Sequence, residues 1–296
     1  VWCWGRAADG RLANNSTAND VGRGGAFLTI EQNGTVAIDA FVISMYVGER
    51  HTCVLRITGA VRCWGLGTNG RLGYDGTSNV GDGTGHTVDG TGDVAVGATV
   101  TQVVAGRSHS CVLISGGTVR CWGLGTSGQL GYNDTNNVGD GAGLSIAAAG
   151  DVPGLSDVRQ LAAGNNHNCA LLGSGAVRCW GRGMEGQLGH DSNLNIGDGA
   201  GMSIAAAGDV PIGETATQVA AGENFSCALL TSGAMRCWGD AGSGRLGYNN
   251  LTSIGDGGTS ITGAGDNNAG GDVVYIAAGF EHTCALYSSG AIRCWG

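Results

Sequence analysis

A cysteine is followed ten residues later by a second cysteine five times in this chain, and the second always begins the tripeptide Cys-Trp-Gly. Successive Cys-Trp-Gly units are 57, 58 or 60 residues apart. A repeat of this length indicates supersecondary units that each need their neighbours to bury a core. The five pairs are Cys53 and Cys63, Cys111 and Cys121, Cys169 and Cys179, Cys227 and Cys237, and Cys284 and Cys294.

Composition limits the kind of repeat. Glycine accounts for 59 of 296 residues and proline for only 2, and 42% of the residues are hydrophobic, so we expect many tight turns between short strands rather than a disordered linker. The formal charge is −9 and lysine is absent, which argues against a nucleic-acid partner. The chain has no apolar run long enough to predict a transmembrane segment. Its start at Val1, without Met or a signal peptide, indicates a processed or cut N-terminus.

The stretch 101–131 shows what one repeat folds into. Strands are predicted over 102–105, 109–114 and 118–122. If the last two form a hairpin about Gly116, Cys111 lies directly opposite Cys121, with Cβ atoms roughly 4.5–5.5 Å apart. The spacing therefore predicts a cross-strand disulfide in each hairpin, and regular disulfides favour an oxidising compartment. Reduced core cysteines and a metal site are the alternatives, although zinc sites use a shorter cysteine spacing.

Both faces of this predicted sheet are apolar. Side-chain alternation places Cys111 and Leu113 on one face and Val112 and Trp122 on the other. Both faces must be covered, which favours an all-β β-propeller with blades packed face to face; an open β-solenoid is the alternative. We expect a single propeller domain over 1–296 with about five blades. Its expected repeats are 1–65 (a divergent first copy), 66–123, 124–181, 182–239 and 240–296.

The divergent first copy contains the least repetitive part of the chain. The stretch from Phe27 to Tyr46 is also the most apolar part. A divergent terminal repeat is what a cap or an assembly contact would look like.

The repeat unit resembles the RCC1 (regulator of chromosome condensation) repeat. The resemblance covers about nine tenths of the chain and implies a propeller with one four-stranded blade per repeat, commonly seven blades. The cysteines resemble those of a bacterial secreted or surface branch of the family. Relatives include a nuclear exchange factor and secreted inhibitors, so fold alone does not give function. The matching residues of one unit are Ala163-Gly164, His167, Cys169-Ala170-Leu171, Gly175, Cys179-Trp180-Gly181 and Gln187-Leu188-Gly189.

Several side chains recur once per repeat, and we interpret them as structural. Phe225 replaces the histidine in the fourth copy, which argues for packing or a backbone hydrogen bond rather than catalysis. The chain shows no nucleophile beside a base, no phosphate loop and no paired catalytic carboxylates, so we expect a non-enzyme. The recurring residues are His51, His109, His167 and His282; Trp64, Trp122, Trp180, Trp238 and Trp295; and Arg62, Arg120, Arg178, Arg236 and Arg293.

The loops after each Leu-Gly carry two sets of aspartates. Carboxylate, amide and backbone oxygens gathered by glycine turns suit Ca²⁺, whereas Asx-Gly turns alone would also explain the composition. In the first copy Arg23 and Thr35 replace the two aspartates, so the calcium hypothesis predicts metal in the later four loops and none in the first. The first set is Asp82, Asp140, Asp198 and Asp256, and the second is Asp93, Asp151, Asp209 and Asp272.

The sixth Cys-Trp-Gly, at Cys3, has no cysteine ten residues before it because the chain has only begun. The last hairpin is already completed by Cys294-Trp295-Gly296. We therefore expect Cys3 to pair with a strand from elsewhere, in an upstream repeat or a neighbouring subunit.

Taken with the resemblance, these features predict a non-enzymatic propeller, extracellular or at the cell surface, that acts by binding or assembly. In one version it is a disulfide-stapled subunit of a surface fibre, so its partner is a copy of itself. In the other it is a recognition module that presents loops to a protein or a glycan. A guanine-nucleotide exchange factor is the remote alternative.

Overall fold

The computed structural model describes residues 1–3, 6–17, 35, 36, 38, 41–267 and 269–296. They form five three-stranded sheets, each of three strands consecutive in the chain. The strands are β1 Val42–Val47, β2 His51–Arg56, β3 Val61–Gly65, β4 Val100–Ala105, β5 His109–Ile114, β6 Val119–Gly123, β7 Val158–Ala163, β8 His167–Leu172, β9 Val177–Gly181, β10 Ala216–Ala221, β11 Phe225–Leu230, β12 Met235–Gly239, β13 Val273–Ala278, β14 Thr283–Tyr287 and β15 Ile292–Trp295.

The described residues divide into two compact units. The first comprises Val1–Ser115, Arg120–Leu124 and Asn136–Gly150 and contains β1 to β5 with most of β6. The second comprises Gly116–Val119, Gly125–Thr135 and Asp151–Gly296 and contains β7 to β15. Within each unit the sheets are antiparallel and carry the same register from repeat to repeat.

The predicted hairpin register is present. Cys53 pairs with Cys63 across β2 and β3, and Cys169 pairs with Cys179 across β8 and β9. The middle strand is buried on both faces in the first four sheets, as the apolar alternation predicts, and is partly buried in the last. The first strand of each sheet contains a register shift one residue from its start, which is a β-bulge. The all-β fold with five repeats is therefore confirmed.

Two expectations about elements need correction. The resemblance implies four-stranded blades, but the fourth position is a single bridge, such as Gly181 with Ile196. The sequence suggests no helix, yet the described residues include four one-turn helices, because a Ser or Thr before each accepts a hydrogen bond from the third helical residue's amide. These helices are α1 Val88–Thr91, α2 Ile146–Ala149, α3 Ile204–Ala207 and α4 Ile261–Ala264.

Candidate functional site: the joint between successive repeats

The structure joins all five cysteine pairs at spacing ten as disulfides, each with a Cα–Cα distance of 4.0 or 4.1 Å. The bridged cysteines of the first four hairpins are buried. In the last hairpin Cys284 is half-buried and Cys294 is exposed. Each disulfide ties β-strands two and three of its sheet, so each hairpin is presented to the neighbouring repeat as one rigid piece.

Each sheet is attached to the loop before it through one backbone carbonyl. The Nε1–H of Trp238 donates to the carbonyl oxygen of Gln187 at 3.0 Å, and the hydroxyl of Ser226 donates to the same oxygen at 3.0 Å. Trp122 and Ser110 donate in the same way to the carbonyl of Arg71. A carbonyl oxygen has two lone pairs and accepts both bonds. Trp64, Trp122, Trp180 and Trp238 are thus structural anchors buried in the core, while Trp295 is half-buried.

The recurring histidines connect one repeat to the next. The Nε2 atom of His51 lies 2.9 Å from Ser110 Oγ, and that of His167 lies 2.9 Å from Ser226 Oγ. Phe225 fills the same position by packing, since it is buried in the fourth sheet. These contacts account for His51 and His167 as structural groups, whereas His282 in the last sheet is exposed.

A glutamine that the sequence interpretation missed makes a second bridge. The side chain of Gln160 donates to the carbonyl oxygen of Val219 at 3.1 Å and accepts from the amide of Val219 at 3.0 Å. Gln218 makes the same two bonds to Ile276. The recurrence of glutamine 58 residues later is the signal that could have identified this bridge. A polar residue at a half-exposed strand position is common in sheets, however, and does not by itself indicate a specific contact.

The aspartates of the first set shape their own loops. Asp198 accepts hydrogen bonds from the amides of Ala200 and Gly201, both at 3.0 Å, which is an Asx turn. Asp82 accepts from the amide and hydroxyl of Thr84. Burial opposes ionisation of Asp82, but these bonds and one from Asn79 outweigh it and hold its pKa below the usual value.

Each Gly-Asp-Gly turn lies against the first glycine of a preceding Gly-x-Leu-Gly loop. A β-carbon placed on Gly128 would lie 2.5 Å from the amide nitrogen of Asp198, and one on Gly186 would lie 2.6 Å from that of Asp256. Gly70 meets the turn at Asp140 equally closely. Only glycine permits this approach, so the aspartates belong to the joint between repeats.

The second aspartate set pairs with the arginines that precede the Cys-Trp-Gly cysteines. Arg62 contacts Asp93 at 3.0 Å, and Arg178 contacts Asp209 at 2.7 Å. In the last loop Arg236 pairs with Asp266 at 2.8 Å, so Asp272 was the wrong choice for this set.

Asp272 has a different position in the repeat. It immediately precedes β13 at φ +66°, as Asp157 precedes β7 at φ +51°, and its carbonyl accepts from a turn amide just as that of Asp157 does. Among the described residues, no group of three or more His, Cys, Asp or Glu side chains could hold a metal ion. Calcium binding through these loops, Asp151 included, stays a prediction.

The N-terminal segment supplies the first joint. Trp64 Nε1–H donates to the carbonyl of Arg11 at 3.1 Å, and a β-carbon on Gly10 would lie 2.6 Å from the amide of Asp82. Cys3 is half-buried beside Leu12, and burial raises the pKa of its thiol. Residues around Gly10 therefore act as a Gly-x-Leu-Gly loop, while the expected bond of Cys3 to another strand stays a prediction. Arg23, which replaces the first-set aspartate, lies outside the described residues.

Comparison with known protein families identifies the family to which the repeats belong. The family model described as the regulator of chromosome condensation (RCC1) repeat matches residues 42–71, 100–129, 158–187, 216–245 and 273–296, which contain the five sheets. The chain belongs to the RCC1 repeat family. Each of the first four matched segments includes three strands and the first two positions of the Gly-x-Leu-Gly loop. The next RCC1 repeat packs on that loop.

Named relatives share the whole length of this chain. Mouse E3 ubiquitin-protein ligase HERC2 is 27% identical over 301 residues and Arabidopsis thaliana ultraviolet-B receptor UVR8 is 28% identical over 298, both covering 100% of the chain. The chain spans only 6% of the HERC2 length and 60% of UVR8. Ligase or receptor activity therefore does not transfer with the RCC1 repeats.

Solved structures show the same fold. Human WBSCR16 matches with a TM-score of 0.73 at 22% identity, over 99% of this chain and 73% of that one. Yeast RCC1 (Prp20), in a structure bound to Kap60, matches with a TM-score of 0.69 at 24% identity, over 99% of this chain and 63% of that one. Each of the five repeats here is an RCC1 propeller repeat.

One strand position that is buried in the later RCC1 repeats is exposed in β1. Met45 is 46% exposed, whereas the residues at its position in the later sheets are at most 2% exposed. Ile43 and Val47, which flank it on the same side of the strand, are exposed as well. The later counterparts of Met45 are Val103, Leu161, Val219 and Ile276.

The described part of the chain contains no helix long and apolar enough to cross a bilayer. Most of its recurring histidines, tryptophans and arginines engage in contacts between or within repeats, while Arg293 and Trp295 line a cavity of about 440 Å³ in the last repeat. What the arrangement can do chemically is to bind another surface, and the joint shows how it binds another RCC1 repeat.

Proposed function

We propose that this protein is a non-catalytic assembly scaffold of RCC1 repeats that works outside the cell or at its surface, where copies associate into a fibre. The observation that carries the proposal is the open apolar face of β1, with Ile43, Met45 and Val47 exposed. Contiguous exposed apolar side chains on a sheet favour association with another protein. In the later repeats the residue at the Met45 position is buried, whereas the residue at the Ile43 position is exposed there as well.

The disulfides support the extracellular part of the proposal. A disulfide in every repeat is typical of proteins from oxidising compartments. One cross-strand disulfide holds each of the five hairpins against local fraying, which suits a module exposed to proteases. The position of Cys3 near this open face is compatible with a bond to a neighbouring subunit.

Relatives support a protein as the partner. The solved structures of yeast RCC1 include a complex with Kap60, and another report describes binding of Prp20p to Gsp1p and histones. Those partners belong to the yeast protein. They support a protein, rather than a small molecule, as the partner of this propeller.

A recognition module is the second candidate function. Leu144 in the first unit and Met184, Leu194 and Leu251 in the second are exposed apolar side chains on loops. Such side chains would contact a protein or a glycan ring without self-assembly.

Sedimentation velocity and negative-stain imaging of the oxidised chain test the two candidates. Assembly predicts mass that rises with concentration and a Met45→Arg variant that stays monomeric, because a buried charge opposes the contact. Met184→Arg is the matched control, because Met184 is likewise exposed but lies on a loop of the second unit, and it should assemble like the unaltered chain. A chain that stays monomeric at every concentration would rule out the assembly proposal and leave the recognition module.

A further inference from the structure

Charged side chains lie together at two repeat positions of the first unit. These positions are the residue pair between the first two strands of a sheet and the loop that runs through Gly-x-Leu-Gly. Asp9 contacts Arg11 and Arg50, each at 2.8 Å, and Glu49 contacts Arg107 at 2.7 Å. We call this group the arginine cluster, and its members are Asp9, Arg11, Glu49, Arg50, Arg71 and Arg107.

The arginine cluster carries more positive than negative charge. Its four guanidiniums face two carboxylates, which leaves a net charge of +2. Among the described residues, Arg71 donates to Thr68 and to the carbonyl oxygen of Arg107 rather than to a carboxylate. Burial lowers the pKa of the Arg71 guanidinium, and the charges of Arg50 and Arg107 lower it further, against two carboxylates that raise it. The side chains of Arg107 and Arg50 are 54% and 39% exposed, so the surplus charge reaches solvent.

The same repeat positions carry the opposite surplus in the second unit. Arg245 Nη1 lies 3.3 Å from a carboxylate oxygen of Asp240 and 3.6 Å from one of Glu223. Its Nη2 lies 3.2 Å from a carboxylate oxygen of Glu281. Three carboxylates around one guanidinium leave a net charge of −2. We call these four residues the acidic cluster.

Arg245 does not use all the acceptors of the acidic cluster. Its side chain is 4% exposed, yet Nη1 has no hydrogen-bond partner among the described residues. An ionised carboxylate has two accepting oxygens, and Arg245 contacts one oxygen of each of its three neighbours. Glu281 is 54% exposed and Asp240 is 31% exposed, so their charge reaches the surface. The acidic cluster is therefore suited to a cationic partner.

We propose that the arginine cluster of one copy binds the acidic cluster of a second copy. The surplus charges of +2 and −2 are complementary, whereas two clusters of the same kind repel each other, so the contact joins unlike surfaces. A contact between two different surfaces of the same chain is heterologous and can continue from copy to copy into an open fibre. The inference rests on the proposed assembly role and adds a second contact that gives the assembly a direction.

Charge reversal in each cluster, followed by sedimentation velocity at low salt, tests the contact. Arg107→Glu and Glu281→Arg each replace one side chain that is 54% exposed, so the core is left intact. Either variant alone should assemble with a dissociation constant at least tenfold higher, because one of its two clusters has lost its surplus charge. A 1:1 mixture should form pairs, since the unaltered arginine cluster of one variant meets the unaltered acidic cluster of the other.

Arg159→Glu is the matched control for Arg107→Glu. It changes the net charge by the same amount, and Arg159 is 68% exposed in an ion pair with Asp157, outside both clusters. This variant should assemble like the unaltered chain. Raising the salt concentration from about 50 mM to about 500 mM should weaken assembly of the unaltered chain, because salt screens exposed charges.

Two results would overturn the inference while the unaltered chain assembles: equal assembly of the Arg107→Glu and Arg159→Glu variants, or a mixture of the two cluster variants that forms no pairs. In either case the scaffold proposal survives and the clusters are not its contact. An unaltered chain that stays monomeric at every concentration in low salt contradicts both the cluster contact and the assembly proposal.

Discussion

At the residue scale, the hydrogen-bond direction explains how a histidine serves a joint. Ser110 donates its one hydroxyl proton to the carbonyl of Arg71, so it must accept a proton from Nε2 of His51. Burial first, and then the charges of Arg71 and His109, lower the pKa of His51 to about 3. His51 is therefore neutral, with its proton on Nε2.

His51→Phe should reduce the sensitivity of the fold to acid. The folded-state pKa of about 3 lies below the ordinary 6.5, so the unfolded chain takes up this proton first, and stability present above pH 6.5 is lost as pH falls toward 3. Between pH 7 and pH 5 the loss from this residue is about 2 kcal/mol. Urea unfolding of both proteins at the two pH values measures it.

The matching variant already exists in the chain, because Phe225 occupies this position in the fourth repeat and is buried there. The comparison concerns only the difference between the two pH values, so a constant cost of the substitution cancels. An unchanged pH dependence in His51→Phe would contradict the assignment of a neutral, buried imidazole.

At the element scale, each hairpin is a unit held by one short-range disulfide. A bridge that closes a loop of about ten residues contributes on the order of 2–3 kcal/mol. Access to the sulfurs differs between hairpins, since Cys169 and Cys179 are buried whereas Cys294 is exposed. Chemical lability should follow that difference.

The Cys284–Cys294 bridge should be the first of the five to be reduced. A thiolate must reach a sulfur atom to attack it, and the other bridges are shielded until their sheets open. Brief treatment with dithiothreitol in the absence of denaturant, followed by alkylation and peptide mass spectrometry, would show label on Cys284 and Cys294 before Cys169 and Cys179. Equal labelling of both hairpins would contradict the burial of the interior bridge.

At the scale of the whole molecule, the repeats of each unit are connected by joints of one design. In such an array each repeat contacts its neighbours, so the free energy of unfolding is approximately the sum of the stability of each repeat and the stability of each interface between repeats. The joint between β10 and β13 uses Gln218, and that between β7 and β10 uses Gln160. Loosening one joint should therefore have a local effect.

Gln218→Met should loosen the last sheet alone. The variant removes two hydrogen bonds to the backbone of Ile276, at a cost of about 1–3 kcal/mol, while keeping a similar side-chain volume. Hydrogen exchange should rise in β13 to β15 and remain unchanged in β7 to β9. Gln160→Met is the control and should affect the joint between β7 and β10; a uniform rise in either variant would contradict independent joints.

Much of the joint could be predicted from sequence, but its partners could not. The step of 58 identified the Gly-Asp-Gly aspartates and the buried tryptophans, yet it did not show that they belong to one interface. In the last loop the repeat step itself favours Asp266, which is 57 residues after Asp209, the same step as from Cys237 to Cys294, whereas Asp272 is 63 residues after Asp209. The ion pair with Arg236 confirms Asp266 as the equivalent residue.

The sequence by itself determined the hairpin, its disulfide and the family, because these depend on local spacing: ten residues from cysteine to cysteine and about 58 from repeat to repeat. Contacts between residues that are 39 to 72 positions apart were decided only in the tertiary structure. There the Gln160 bridge, the shared carbonyl of Gln187 and the fit of a turn against a bare glycine emerge. The physical reason is that periodicity predicts which residues are equivalent, whereas hydrogen bonding and close packing depend on which equivalent residues meet.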